Sequence, residues 1–172
     1  IIEYFKDKSL ILVSQGKIFK VDLNLEIQSG TIEYNIEDGK INFTNKVKIV
    51  DKVNNLIIYS DKIKYNLRNK NILGEGNTKI IDEFENTYQV NKFEYLTDDK
   101  VIKLINTSIS DKDKNTFDLG IAYFDLNKKE IVAKDISLDF KISENSENEP
   151  RLKGRSLIND EKNTIVKKGT FT

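Results

Sequence analysis

The 172-residue chain contains no cysteine, no histidine and no tryptophan, and only one proline. Without cysteine there is no disulfide framework, no thiolate zinc cluster and no thiol nucleophile. Without histidine the commonest general base and metal ligand is missing. No run of about 18 apolar residues occurs, so no segment reads as a membrane-spanning helix. No signal peptide is visible either. An excess of one charge sign is also lacking, since Lys+Arg and Asp+Glu both number 28. A nucleic-acid binder would carry a basic excess, so no nucleic-acid partner is expected. Glycine-rich phosphate loops, a Gly-x-Ser-x-Gly elbow and Ser/His pairings are all absent. No enzyme, cofactor or metal centre is expected, and no catalytic residue is assigned. The length suits one sizeable domain.

What the chain does have is a repeat. An apolar-x-Tyr triplet returns at Ile2-Glu3-Tyr4, Ile32-Glu33-Tyr34, Ile63-Lys64-Tyr65, Phe93-Glu94-Tyr95 and Ile121-Ala122-Tyr123. The steps are roughly 30 residues, the signature of stacked copies of one unit. Within a unit the alternation has period 2. Ile41, Phe43, Val47 and Ile49 share one face, and Asn42, Thr44, Lys46 and Lys48 share the other. That is a half-buried strand with one wet face, and Ile136 to Ile142 repeats it. Because the chain opens on Ile1 inside a repeat unit, a longer parent protein is expected.

Turn residues divide each unit into two strands of about ten residues, nearly twice the usual length. Lys6 to Lys8, Glu37-Asp38-Gly39, Arg68 to Asn71, Thr97 to Lys100 and Asn127 to Lys129 mark one set of turns. Asp51 to Asn55, Glu83 to Asn86 and Lys112 to Asn115 mark the other. Asp-Gly at 38–39 predicts a tight hairpin with left-handed dihedrals. Small or polar residues interrupt the apolar face near mid-strand, at Gly16, Asn45, Gly74 with Gly76, and Asn106. Gly30, Asp61, Asn91 and Gly120 do so on the intervening strands. A bend at the same depth in every strand folds the sheet along one line. The expected fold is all-β and antiparallel, a V-shaped or U-shaped trough of long bent strands over residues 1–142. A polar loop at 143–150 follows, holding the only proline. Extended segments over 151–172 then turn at Asn159-Asp160-Glu161 and Lys167-Lys168-Gly169.

The acidic clusters read as turns. Asp111-Lys112-Asp113-Lys114-Asn115 matches the start of a calcium loop, but Thr116 replaces its glycine and Ala122 its last carboxylate. The carboxylates that a glycosidase would need are plentiful, but Asp38, Asp82, Glu83, Asp98 and Asp99 all fall in predicted turns. An aromatic at one fixed position per unit builds a packing ladder or contacts a ligand. The alternation fits a closed core and an open lipid-accepting trough equally well.

The phrase Tyr59-Ser60-Asp61-Lys62-Ile63-Lys64-Tyr65-Asn66 leads to Ile72-Leu73-Gly74-Glu75-Gly76-Asn77-Thr78-Lys79-Ile80-Ile81-Asp82. It is an apolar-x-Tyr strand, a Gly-Asn-apolar strand and an Asp turn. It returns in degenerate form around Gly16-Lys17-Ile18 and Asn45-Lys46-Val47. This resembles the OstA-like periplasmic domains of the lipopolysaccharide transport system. The stretches from Pro150 to Leu157 and from Thr164 to Thr172 resemble the segment that joins such a domain to an outer-membrane barrel in the LptD branch. The cysteine-containing segment that typically follows there is not in this chain.

The resemblance implies a β-jellyroll, or β-taco, at the periplasmic face of the outer membrane. It implies lipopolysaccharide acyl chains as cargo, received from an LptA-like bridge by edge-strand addition and passed to the barrel. A lipoprotein partner of that barrel is implied as well. The residues expected to line the groove are Ile32, Tyr34, Ile41, Phe43, Ile63, Tyr65, Ile72, Phe93, Tyr95, Ile121 and Tyr123. The competing readings are an LptA/LptC-type or AsmA-like lipid bridge, and a closed-core structural or adhesive repeat without ligand.

Overall fold

In a computed structural model, described at residues 1–20, 24–111, 114–139, 150–159 and 163–171, the chain is all-β. The strands are β1 (Ile2–Phe5), β2 (Leu10–Lys20), β3 (Leu25–Asn35), β4 (Lys40–Asp51), β5 (Leu56–Asn66) and β6 (Asn71–Ile81). They continue as β7 (Thr87–Leu96), β8 (Val101–Ser110), β9 (Thr116–Asp125), β10 (Glu130–Asp139), β11 (Arg151–Asn159), β12 (Thr164–Lys167) and β13 (Thr170–Phe171). A 3-10 turn, Lys6–Lys8, joins β1 to β2. No α-helix occurs among the described residues. Each strand from β1 to β12 pairs antiparallel with the next, and β13 lies against β11. The sheet therefore runs in sequence order as one open meander. The segment after the expected loop rejoins it, because β11 pairs with β10 from Ile131↔Asn159 to Asp139↔Arg151. Of that loop only Pro150 falls among the described residues.

The chain turns where expected, at residues 36–39, but of Asp38-Gly39 only Gly39, the last turn residue, is left-handed. Gly39 has φ 63°, and Ser9, Asn55, Lys70, Lys100 and Lys129 occupy the same place with φ between 47° and 54°. Left-handed backbone costs a non-glycine residue about 1–2 kcal/mol. It turns the carbonyl of that residue sideways, toward the next unit. Ser9 O accepts from Ile36 N, Gly39 O from Leu67 N, Lys70 O from Thr97 N and Lys100 O from Leu126 N. These bonds, 2.9 to 3.2 Å long, carry the sheet past its strand ends.

Mid-strand kinks fall close to where the small and polar residues stand. Asn45, Lys46, Gly76 and Asn106 are left-handed, as are Gln15 and Asp135, which the sequence did not mark. The opposite strands accommodate them. A side chain at Gly30 would meet Asn45 O at 2.9 Å. Asp61 accepts a hydrogen bond from Asn77 N beside the kinked Gly76. The ladder slips at Gln28/Thr31, Thr44/Val47, Tyr59/Lys62 and Glu75/Thr78, all at this depth.

Kinks strip carbonyls of ladder partners, and buried hydroxyls replace them. Ser29 Oγ lies 2.7 Å from Thr31 O and 2.6 Å from Thr44 O. One unit later, Ser60 Oγ reaches Lys62 O at 3.2 Å and Thr78 Oγ1 at 2.9 Å. Replacing Ser29 with alanine strands buried carbonyls, so it should cost about 1–2 kcal/mol. A urea titration reads this as a lower midpoint with an unchanged slope.

The kinks divide the strands into two limbs that face each other. Limb A holds the ends nearest residues 36–39, 67–70, 97–100 and 126–129. Limb B holds the ends nearest 52–55, 82–86 and 111–115. Tyr95 of limb A donates its hydroxyl to Asp51 of limb B at 2.8 Å. Phe124 of limb A stacks on Tyr88 of limb B, with ring centroids 6.2 Å apart. Lys129 of limb A meets Glu83 of limb B at 2.6 Å. In the Tyr95 and Lys129 contacts, limb A comes from about three strands later than limb B. The apolar core lies between the limbs.

Candidate functional site

Register gathers the repeated positions into continuous rows. One row reads Tyr4–Ile11–Tyr34–Ile41–Tyr65–Ile72–Tyr95–Ile102–Phe124–Ile131. The next reads Ile32–Phe43–Ile63–Gly74–Phe93–Leu104–Ala122–Ala133–Leu157. Nine of the eleven expected lining residues stand in these rows. Ile32, Ile41, Phe43, Ile63, Tyr65, Ile72, Phe93 and Tyr95 are buried, and Tyr34 is half-buried. Tyr65 and Tyr95 are thus ladder residues packed between limbs.

Ile121 and Tyr123 are not. They are 40% and 46% exposed and point away from the core. Their neighbours Ala122 and Phe124 hold the inward positions instead, paired with Leu104 and Ile102. A slip of one residue moves a whole strand face to the opposite side. Lys103 covers the Tyr123 ring at 6.0 Å from outside the sheet.

The acidic turn residues have structural work that their sequence positions did not reveal. Asp51 accepts from Val53 N and Asn54 N, and its second oxygen takes Asn54 Nδ2 and the Tyr95 hydroxyl. Asp82 repeats the pattern with Phe84 N, Asn86 N, Asn86 Nδ2 and the Tyr88 hydroxyl. Asp111 accepts from Asn115 N and Nδ2, closing a hairpin turn at the place of the partial calcium-loop match. Lys112 and Asp113 lie outside the described residues. The signal was an Asp at steps of roughly 30 residues, each followed by Asn three or four positions on. Burial pushes the Tyr88 and Tyr95 phenols well above their usual range, and the neighbouring Asp82 and Asp51 add to it.

Between the limbs, at the open rim, lies a cavity of 720 Å³. Val53, Leu56, Phe84 and Tyr88 line it from limb B, and Phe124, Leu126 and Ile131 from limb A. Asn54, Glu83, Asn86 and Lys129 give it a polar rim. A second cavity of 150 Å³ shares Tyr88 and Ile131 and reaches Ile109, Phe117, Leu119 and Leu157. An apolar hollow with a few polar groups at its mouth suits an amphiphile. The rim is fastened by the Lys129–Glu83 pair, and the hydrogen-bonded ammonium holds the Glu83 carboxyl below its usual range. Lys129 also lies 5.6 Å from the Phe84 ring centroid. An ion pair this exposed contributes little to stability. No known protein-family model matches the chain, and no curated protein sequence matches it.

Proposed function

We propose that the protein is a non-enzymatic lipid-carrying domain, a β-jellyroll of the OstA-like lipopolysaccharide-transport type, closest in kind to the domain that precedes the LptD barrel. In this reading it works at the periplasmic face of the outer membrane. It receives lipopolysaccharide from an LptA-like bridge and hands it to a barrel with its lipoprotein partner. The observation that carries the reading is the 720 Å³ apolar cavity between two limbs of one repeat-built sheet. Each CH2 shielded from water is worth about 0.8 kcal/mol, so an acyl chain favours such a hollow over solvent. No bond chemistry is involved, and the energy for movement comes from elsewhere in the machine.

The limb offset supports passage along the sheet. At the amino-terminal end the inner face of limb A runs past limb B, leaving Ile2 and Tyr4 exposed. At the other end limb B runs on, with Phe117 and Leu152 half-buried and Phe171 exposed. Each end thus presents the limb that the opposite end lacks. A neighbouring domain joined by strand addition would complete both.

A second reading, a structural repeat with a closed core, is favoured by one observation. Phe43, Ile63 and Ile72 are fully buried, so the limbs touch in the amino-terminal half. Photo-crosslinking separates the two. A benzophenone side chain at Phe124 should form adducts with lipopolysaccharide, and the same probe at outward-facing Lys64 should not. Adducts at neither position would leave the closed core standing. Adducts at Lys64 alone would exclude the cavity as the lipid site.

A further inference from the structure

One outward row of the sheet changes character abruptly near its carboxy-terminal edge. That row reads Glu33–Asn42–Lys64–Leu73–Glu94–Lys103 across β3 to β8. It is polar or charged at every position but Leu73. The same row then continues as Tyr123–Val132–Ile158–Ile165 across β9 to β12. Tyr123, Val132 and Ile165 are exposed. The adjacent outward row carries Ile105 and Ile121, then Lys134, Ser156 and Lys167. Four aligned apolar side chains on neighbouring strands make a patch about 14 Å wide at the usual strand spacing. A wet sheet face has no packing reason to hold such a patch.

Cations border it. Lys134 and Lys167 are exposed and form no ion pair with the other described residues. Lys103 lies over the Tyr123 ring. Tyrosine and lysine pair an apolar body with a polar tip, which places them well at a lipid–water boundary. Ammonium groups beside an apolar surface complement a negatively charged one.

We propose that the outer face of β9 to β12 docks on an anionic lipid bilayer. Tyr123, Val132 and Ile165 enter the headgroup boundary, and Lys134 and Lys167 meet lipid phosphates. This surface is on the opposite side of the strands from the cavity, so it stands or falls independently of the lipid-carrying reading.

Co-sedimentation of the chain with phosphatidylcholine vesicles, with and without phosphatidylglycerol, tests it. Binding is expected to the anionic vesicles and to be lost in Val132→Glu/Ile165→Glu. Lys134→Gln/Lys167→Gln should weaken it about thirtyfold, since each lysine near the surface contributes a factor of about five. Leu73→Glu, in the same row but outside the patch, should bind as the parent does. Far-UV circular dichroism confirms that each variant is folded. The proposal is overturned if the parent chain ignores anionic vesicles, or if either patch variant binds undiminished. It is also overturned if sedimentation velocity shows that the patch substitutions dissociate a dimer, since the occupant is then a second copy of the chain.

Discussion

Phe93→Ala should lower the folding free energy by about 4 kcal/mol and the melting midpoint by roughly 10 °C. Phe93 is among the largest fully buried side chains, and its ring fills a place that the sheet reserves for it. Gly74 stands directly opposite in the register. A methyl group added to Gly74 would lie 2.0 Å from Phe93 Cε1 and 2.5 Å from Cδ1. No real contact is that short, so Gly74→Ala must push the ring off its rotamer. Overpacking of this kind costs about 1–3 kcal/mol, and the aromatic ring places it toward the upper end. The two positions must therefore be coupled. Gly74→Ala combined with Phe93→Leu should cost less than the sum of the single changes, by about 1–3 kcal/mol. Denaturant midpoints of the four proteins measure that difference. Simple additivity would mean that the ring does not occupy the space above Gly74.

Gly74 also shows how the sequence was legible and where it was not. It was read as a bend marker, one of several small residues at the same depth. The kink lies two residues on, at Gly76 with φ 97°, and Gly74 serves packing instead. A missing side chain looks the same in sequence whether it frees the backbone or makes room for a ring. Asn45, Gly76 and Asn106 were found because Asn and Gly tolerate left-handed backbone. Gln15 and Asp135 adopt it as well. They were missed because neither is an ordinary marker at mid-strand, and the surrounding sheet imposes the conformation on them.

The strands themselves were legible because the apolar inner face alternates with a mostly polar outer one from β3 to β8, Val50, Ile57 and Ile81 being outward exceptions. The rule failed at β9, where both faces are apolar. Tyr123 follows Tyr95 two residues sooner than Tyr95 follows Tyr65, and Phe124 keeps the better step. Ile121-Ala122-Tyr123 fits the template, and Ala122-Tyr123-Phe124 fits it with Phe in place of Tyr, so periodicity could not choose. Pairing with β8 chooses, by setting Phe124 opposite Ile102. The outward apolar patch that confused the reading is the surface proposed to meet a bilayer. The limb offset had no sequence signal at all, since it is fixed by which side chains meet across the core.

The largest pH effect should come from Tyr95 and Tyr88, and it should appear as loss of stability above pH 10. Both phenols are held neutral in the fold, first by burial and then by the carboxylates they donate to. In the unfolded chain a tyrosine ionises near pH 10. Below that pH both states keep the proton and the contribution is fully present. Above it only the unfolded state loses the proton, so stability falls by about 1.4 kcal/mol per pH unit for each tyrosine. Tyr95→Phe should therefore halve the slope between pH 10 and 11, and Tyr88→Phe should do the same. At neutral pH the fastening is best probed from the other side. Asp51→Ala removes the acceptor for two backbone amides, the Asn54 amide and the buried Tyr95 hydroxyl. Loss of these charge-assisted bonds should cost about 3–4 kcal/mol, against about 1 kcal/mol for Tyr95→Phe. Once Asp51 is alanine, replacing Tyr95 with phenylalanine should cost far less, because its hydroxyl then keeps only the 3.3 Å bond from Asn54 Nδ2. Urea midpoints for the double-mutant cycle decide it. An unchanged cost for Tyr95→Phe in the Asp51→Ala background would mean that the limbs are not joined there.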